Sequence, residues 1–179
     1  MVRKASEADL PAIMRIVAET VRIMAAEGND QWNDEYPRAE DFRTDISKEE
    51  LFVDEEAGAV CGFVCVNREE PPEYGPVPWS RSRSATVVHR LAVDPDLRGR
   101  GIASILMRFA EETAAGNGTG YLRSDTYSKN PRMNGLFEKL GFRRAGDINF
   151  KGRRELFHCY EKVLDHSSGP RVDSAVARR

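Results

Sequence analysis

The sequence predicts an α+β fold built on one mixed sheet. Short β-branched or aromatic runs bounded by turn residues recur along the chain, and other segments space their apolar residues three and four apart. The two kinds interleave in the order β-α-α-β-β-β-α-β-α-β-β. That order mixes hairpins with crossover helices, which gives about seven strands in a mixed sheet flanked by about four helices.

After a short opening strand, Ser6 precedes a run in which Leu10, Ile13, Met14, Val17, Val21 and Met24 mark one helical face, with Pro11 tolerated in the first turns. Ser6 and Asp9 stand in a variant of the capping box. Gly28 to Pro37, GNDQWNDEYP, is turn-rich and reads as a loop, and Phe42 and Ile46 place a second short helix over Arg38 to Ser47. Leu51 to Asp54 and Val60 to Val66 read as a hairpin around EEAGA. Asn67 to Ser84 holds four prolines and reads as a loop, and Thr86 to Val93 as the next strand. Ile102, Ile105, Leu106, Phe109 and Thr113 repeat the helical period over residues 101–115, and glycines 116, 118 and 120 stop it. Tyr121 to Thr126 is a further strand. Asn130 and Pro131 start a helix that ends before Gly141. Phe142 to Phe150 and Leu156 to Val163 flank the basic turn KGRR as a final hairpin. Residues 1–164 thus read as a single domain, and residues 165–179, poor in apolar side chains, as a flexible tail.

A length of 179 residues with 40% hydrophobic and 31% charged side chains excludes disordered, collagen-like and membrane-spanning classes. The N-terminus MVRKASEADL has no apolar core for a secretion signal, so a cytoplasmic protein is expected. Three cysteines, without C-x-x-C spacing or His neighbours, point to no zinc site, and no metal is expected. Cys61 and Cys65 in one strand would stand about 13 Å apart, too far for a disulfide. Charge is split. Residues 1–80 hold 8 Lys and Arg against 18 Asp and Glu, whereas residues 81–154 hold 15 against 7. Either one half handles an anion and the other a cation, or two solvated faces differ.

The most informative stretch runs from Val87 to Phe109, where a strand ends at Asp94-Pro95 and LRGRGIAS enters a helix. Gly99 and Gly101 let the backbone turn tightly and approach a ligand. The unpaired N–H groups of a helix start suit phosphate, and Arg98 and Arg100 stand beside them. Ile102 and Ala103 exclude a Walker A loop, and Ser104 takes the place of the third glycine of a dinucleotide fingerprint. Taken alone, the hexapeptide serves equally as a glycine-rich helix entry with surface arginines.

Arg98-x-x-Gly101-x-Ala103, set between HRLAVDP and a helix, resembles the Q/R-x-x-G-x-G/A signature of the GNAT superfamily of N-acetyltransferases. Asn130 and the helix ending LFEKLGF resemble the second cofactor segment of that family, and the element order matches from residue 2 to about residue 163. QW followed by YP, and DT before the Asn, resemble a bacterial subgroup. The resemblance implies a mostly antiparallel sheet, acetyl-CoA as acyl donor, and a primary amine that attacks the thioester directly. Arg98, Gly99, Arg100, Gly101, Ile102, Ala103 and Ser104 would then take the pyrophosphate. Leu91, Ala92 and Val93 would line the pantetheine arm through main chain on a strand that splays from its neighbour. Asn130 and Phe137 would complete the cofactor site.

His89, two residues before Leu91 and on the same face by period two, is a candidate base with an ordinary pKa near 6.5. Asp125 and Tyr127 are alternatives, and Asp125 serves equally as an anchor for the acceptor amine or as a partner for Arg123. The family's usual general acid is a Tyr at the place of Phe137, so Tyr127 or solvent would protonate the thiolate. Trp32, Tyr36, Tyr74 and Trp79 sit on the loops expected to frame the acceptor pocket. The acidic first half favours a cationic acceptor: a polyamine-like or amino-sugar amine, or a protein N-terminus. A homodimer is allowed. A pI of about 6.0 argues against nucleic acid, and no membrane partner is expected. The second reading, which Phe137 keeps open, is a non-catalytic acyl-CoA-binding or regulatory module.

Overall fold

The computed structural model describes residues 1–150 and 152–164. The expected tail, 165–179, and Lys151 of the basic turn lie outside the described residues. Among the described residues seven strands form one sheet: β1 (Val2–Lys4), β2 (Leu51–Glu56), β3 (Ala59–Asn67), β4 (Thr86–Val93), β5 (Tyr121–Tyr127), β6 (Arg143–Ile148) and β7 (Phe157–Val163). Their order is β1-β2-β3-β4-β5-β7-β6, and every pair is antiparallel except β4 with β5. The four α-helices among the described residues are α1 (Leu10–Ala26), α2 (Ala39–Ser47), α3 (Ile102–Gly116) and α4 (Pro131–Lys139).

The periodicities place these helices. Ile13, Ile16 and Val17 of α1 and Phe42 of α2 are buried with Val53, Phe63 and Cys65 on one face of the sheet. Leu106, Met107 and Ala110 of α3 and Phe137 of α4 pack with Val64, Val66, Val88 and Leu122 on the other. Alternate strand residues therefore feed two cores, as the two-residue period requires. The contact with α3 depends on Gly62, where a Cβ would stand 2.8 Å from the carbonyl oxygen of Ala92 and 3.2 Å from Ile102.

At the start of α1 the expected box forms, in that the Asp9 carboxylate accepts from Ser6 N–H at 2.8 Å and from its hydroxyl at 2.9 Å, while Arg3 holds its outer side. Asn130 caps α4 by accepting from Met133 N–H at 3.2 Å, with Pro131 in the first turn. The 68–85 segment closes over a third cluster that includes Tyr74, Val77, Val87, Tyr127 and Phe157. All three cysteines are buried and unpaired. No helix among the described residues is long and apolar enough to cross a membrane.

Candidate active site

Strands β4 and β5 pair only over Thr86–Val88 with Leu122–Ser124. Beyond those rungs they part. The edge of β4 from His89 to Val93 that would face β5 has no ladder partner there, so main-chain donors and acceptors line a fork. A cavity of about 540 Å³ opens at it. Its walls include Gln31, Trp32 and Tyr36 from the α1–α2 loop, His89, Arg90 and Leu91 from β4, and Ser124, Asp125 and Thr126 from β5. Asn130 and Met133 at the start of α4, Glu69 and Glu70 after β3, and Phe150, Arg153 and Phe157 of the last hairpin also line it.

A bulge separates two residues that the strand period puts together. Cys65 pairs with His89 and Phe63 with Ala92, so Arg90 and Leu91 both stand opposite Val64. Arg90 takes the extra position with φ of 44°. As a result Leu91 packs in the α3–α4 core, while His89 lies opposite Cys65 of the α1–α2 core. His89 and Leu91 do not share a face. Arg90 turns toward α2, donating from Nε and Nη2 to Asp45 at 2.8 and 2.7 Å and from Nη1 to the Tyr36 hydroxyl at 2.9 Å. Asp45, Glu50 and Cys65 stand within metal-ligating reach of one another, but both Asp45 oxygens already accept from Arg90.

His89 Nε2 lies 3.1 Å from both Asn67 Oδ1 and the Glu69 carbonyl oxygen. Both are acceptors, which assigns the proton to Nε2. Burial, aided by the Arg90 charge, pulls its pKa down to about 4. The imidazole is therefore neutral at pH 7 and a weak base. Asp125 behaves in the opposite way: burial pushes its pKa up to about 6, even though the Tyr74 hydroxyl donates to it at 2.7 Å. It is the first residue of β5 past the paired rungs. It does not pair with Arg123, which donates instead to both Glu70 oxygens and to the Arg81 carbonyl.

Tyr127, Trp79 and Phe137 stand away from the cavity. Tyr127 packs on Phe157 in the third core and its hydroxyl accepts from Glu155 N–H, so it is not placed to protonate a leaving group at the fork. Trp79 packs at a tilt on Tyr74 with ring centroids 5.0 Å apart, donates to the Tyr74 carbonyl, and carries the Arg123 guanidinium 4.6 Å over its ring. It braces the 68–85 segment. Phe137 is fully buried and stacks at 4.7 Å on Tyr160, contributing to the core beneath α4 and not to the cavity wall. Trp32 reaches the cavity with one side and stacks on Phe63 with the other. Asn130 Nδ2 donates to Gln31 Oε1 at 2.8 Å, tying α4 to the first loop. Gln31, Arg90 and Arg153 fall within stretches the sequence singled out (QW, HRLAVDP and KGRR) but were given no role there, because their roles arise from contacts between distant segments.

Where β4 ends, Asp94 accepts from Asp96 N–H at 3.1 Å and pairs with Arg15 at 2.5 Å, which sets the turn leading to the α3 start. Gly99 and Gly101 take φ of 81° and 84°, and an added Cβ at either would point into open space. From Gly99 to Ser104, six consecutive N–H groups donate to no backbone acceptor among the described residues. Ile102 and Ala92 bury their side chains, leaving their main chain to the site, and Ser104 is half-buried. Arg100 pairs with exposed Glu56, whereas Arg98 has no ion-pair partner among the described residues and its pKa is lowered by burial and by nearby Arg132. Such a cradle suits a multiply charged anion.

Comparisons agree with this geometry. The model of the acetyltransferase (GNAT) family matches residues 17–142. An acetyltransferase of the GNAT family from Streptococcus agalactiae is 26% identical, with a TM-score of 0.82 over 92% of this chain and 95% of that one. An N-acetyltransferase from Staphylococcus aureus is also 26% identical, with a TM-score of 0.69 over 92% and 98%. The yncA protein of Salmonella typhimurium, solved with its cofactor acetyl-CoA, shares the fold at 19% identity, with a TM-score of 0.68 over 96% and 98%. No curated protein matches the sequence. With the matched family model spanning the α3 start, both forked strands and α4, this chain belongs to the GNAT acetyltransferase family.

Proposed function

We propose that this chain is an N-acetyltransferase that moves the acetyl group of acetyl-CoA to a primary amine by direct attack. The observation that carries this reading is the run of six N–H groups, Gly99 to Ser104, without an acceptor among the described residues, one short turn beyond the strand whose edge is left open by the fork. A pyrophosphate fits the run, and an extended amide-bearing arm fits the open edge. The acetyl-CoA named with the Salmonella structure and the N-acetyltransferase from Staphylococcus support the same donor and reaction.

When bound, acetyl-CoA would supply an acetyl thioester. The chain's own residues would hold the phosphates at Gly99 to Ser104 with Arg98, and would present β4 main-chain N–H groups to charge developing on the thioester oxygen. Asp125 is better matched than His89 to accept the ammonium proton, since a base works best when its pKa lies near the operating pH. As the new N–C bond forms and the C–S bond breaks, nitrogen releases a second proton. The thiolate takes one up from solvent, for which a thiol pKa near 8.5 is sufficient. The neutral imidazole of His89 would orient groups in the cavity through Nδ1.

The test is calorimetric titration with acetyl-CoA, followed by a thiol-release assay over a broad amine panel. Saturable binding with amine-dependent release of CoA is the expected result. Binding without release on any amine favours a non-catalytic acyl-CoA-binding module.

A further inference from the structure

Among the described residues, five charged side chains line the cavity: Glu69, Glu70, Arg90, Asp125 and Arg153. Three are neutralised by groups of the protein itself. Arg90 is clamped on Asp45, Glu70 accepts from Arg123 at 2.7 and 2.8 Å, and Glu69 pairs with Lys48 at 2.8 Å. Two remain. Asp125 accepts from the Tyr74 hydroxyl and, among the described residues, from no cation. Arg153, half-buried in the β6–β7 turn, makes no side-chain hydrogen bond or ion pair among the described residues, and the nearby Asp30 makes none to it.

Two aromatic side chains line the cavity on the β7 side, toward the turn that carries Arg153. Phe157 stands two residues along β7 from Cys159, the cross-strand partner of Asp125, and Phe150 packs edge-on against it at 4.8 Å. A negative group at the fork and a positive group in the β6–β7 turn, on one cavity with aromatic side chains beside them, complement a ligand of opposite polarity. Resting on the proposed acetyl transfer, we propose that the acceptor is a zwitterionic amine, an amino acid or short peptide, with its ammonium at Asp125 and its carboxylate at Arg153.

The physical reason is pairing. A half-buried guanidinium gains most from a carboxylate that its fork can grip bidentately, and a desolvated carboxylate gains most from an ammonium. A diamine would satisfy Asp125 but bring its second cation toward Arg153. The acidic first half of the chain does not alter this, because Glu69 and Glu70 already have cationic partners.

The experiment measures CoA release from acetyl-CoA with α-amino acids, ω-amino acids and dipeptides, each beside its own C-terminal amide, and with a diamine series. The free carboxylate form is expected to exceed its amide roughly tenfold or more in kcat/KM, the size of one good charge-assisted contact. Arg153→Gln should erase that gap by raising KM for the carboxylate form alone. Amides or diamines reacting as well as the free acids would overturn the zwitterion and leave acetyl transfer standing. Acetyl-CoA binding with no CoA release on any of these amines, or failure to bind acetyl-CoA, would overturn acetyl transfer and the zwitterion together.

Discussion

Asp125 titrates late because it is desolvated without a cation beside it, and that has opposite consequences for activity and for stability. Its pKa near 6 exceeds the ordinary carboxylate value, so between pH 4 and 6 the folded chain keeps a proton that the unfolded chain has released. The stability contributed by this group is present below pH 4 and is lost as pH rises through 6. Asp125→Asn keeps an acceptor for Tyr74 and removes the buried charge. It should therefore raise stability at pH 7.5 by up to about 3 kcal/mol, the equivalent of two pKa units, with no gain at pH 4; thermal unfolding at both pH values checks this. The same substitution should lower kcat about 100-fold or more, and His89→Gln should leave the acidic limb of the pH–rate profile near 6. A limb that moves with His89 and not with Asp125 would return the base role to the imidazole. The sequence offered both residues as candidates. What separates them is burial and the partners at Nε2, which come from Asn67 and Glu69 on another strand and its following loop.

Elements with a local signal were legible and those set by pairing were not. Thr86–Val93 is a strand over the residues its composition predicts, α3 and α4 begin and end within a residue or two of their glycine and proline marks, and the loop LRGRGIAS enters a helix as its glycines require. The β4 bulge was invisible. Arg90 is not a residue that announces a positive φ, and the position is held by the ion pair with Asp45, 45 residues away. Arg90→Ala should strip that buried carboxylate of its cation and cost about 3 kcal/mol, read as a fall in the denaturant midpoint. Adding Asp45→Ala should recover part of the loss, since the orphaned charge disappears with it. At the other end of the strand, Gly101→Val forces a β-branched residue to φ of 84° and projects its Cβ into the open space in front of the free N–H groups. Acetyl-CoA binding should vanish in calorimetry while circular dichroism still shows a folded chain.

On the scale of the whole molecule, the charge split in the sequence is mostly consumed by the fold. Arg90 pairs with Asp45, Arg100 with Glu56, Arg123 with Glu70 and Arg132 with Glu27, and each of these pairs joins the basic block to the acidic one. The asymmetry thus serves chiefly to hold α1, α2 and β2 against the elements that follow β3. What it leaves over at the α3 start is Arg98, crowded by Arg132 and without a carboxylate within ion-pair distance among the described residues. An unpaired, partly desolvated guanidinium gains more from an incoming phosphate than one that must first leave an exposed partner, so Arg98 and Arg100 should not contribute equally. Arg98→Gln should weaken acetyl-CoA binding about tenfold and Arg100→Gln only two- to threefold, measured by calorimetry at low salt. Raising the salt should narrow the difference, because screening acts on the phosphate contact and on the Arg100–Glu56 pair alike. Equal losses in the two variants would place the phosphates nearer Glu56 and the β2–β3 turn than the fork of β4 and β5.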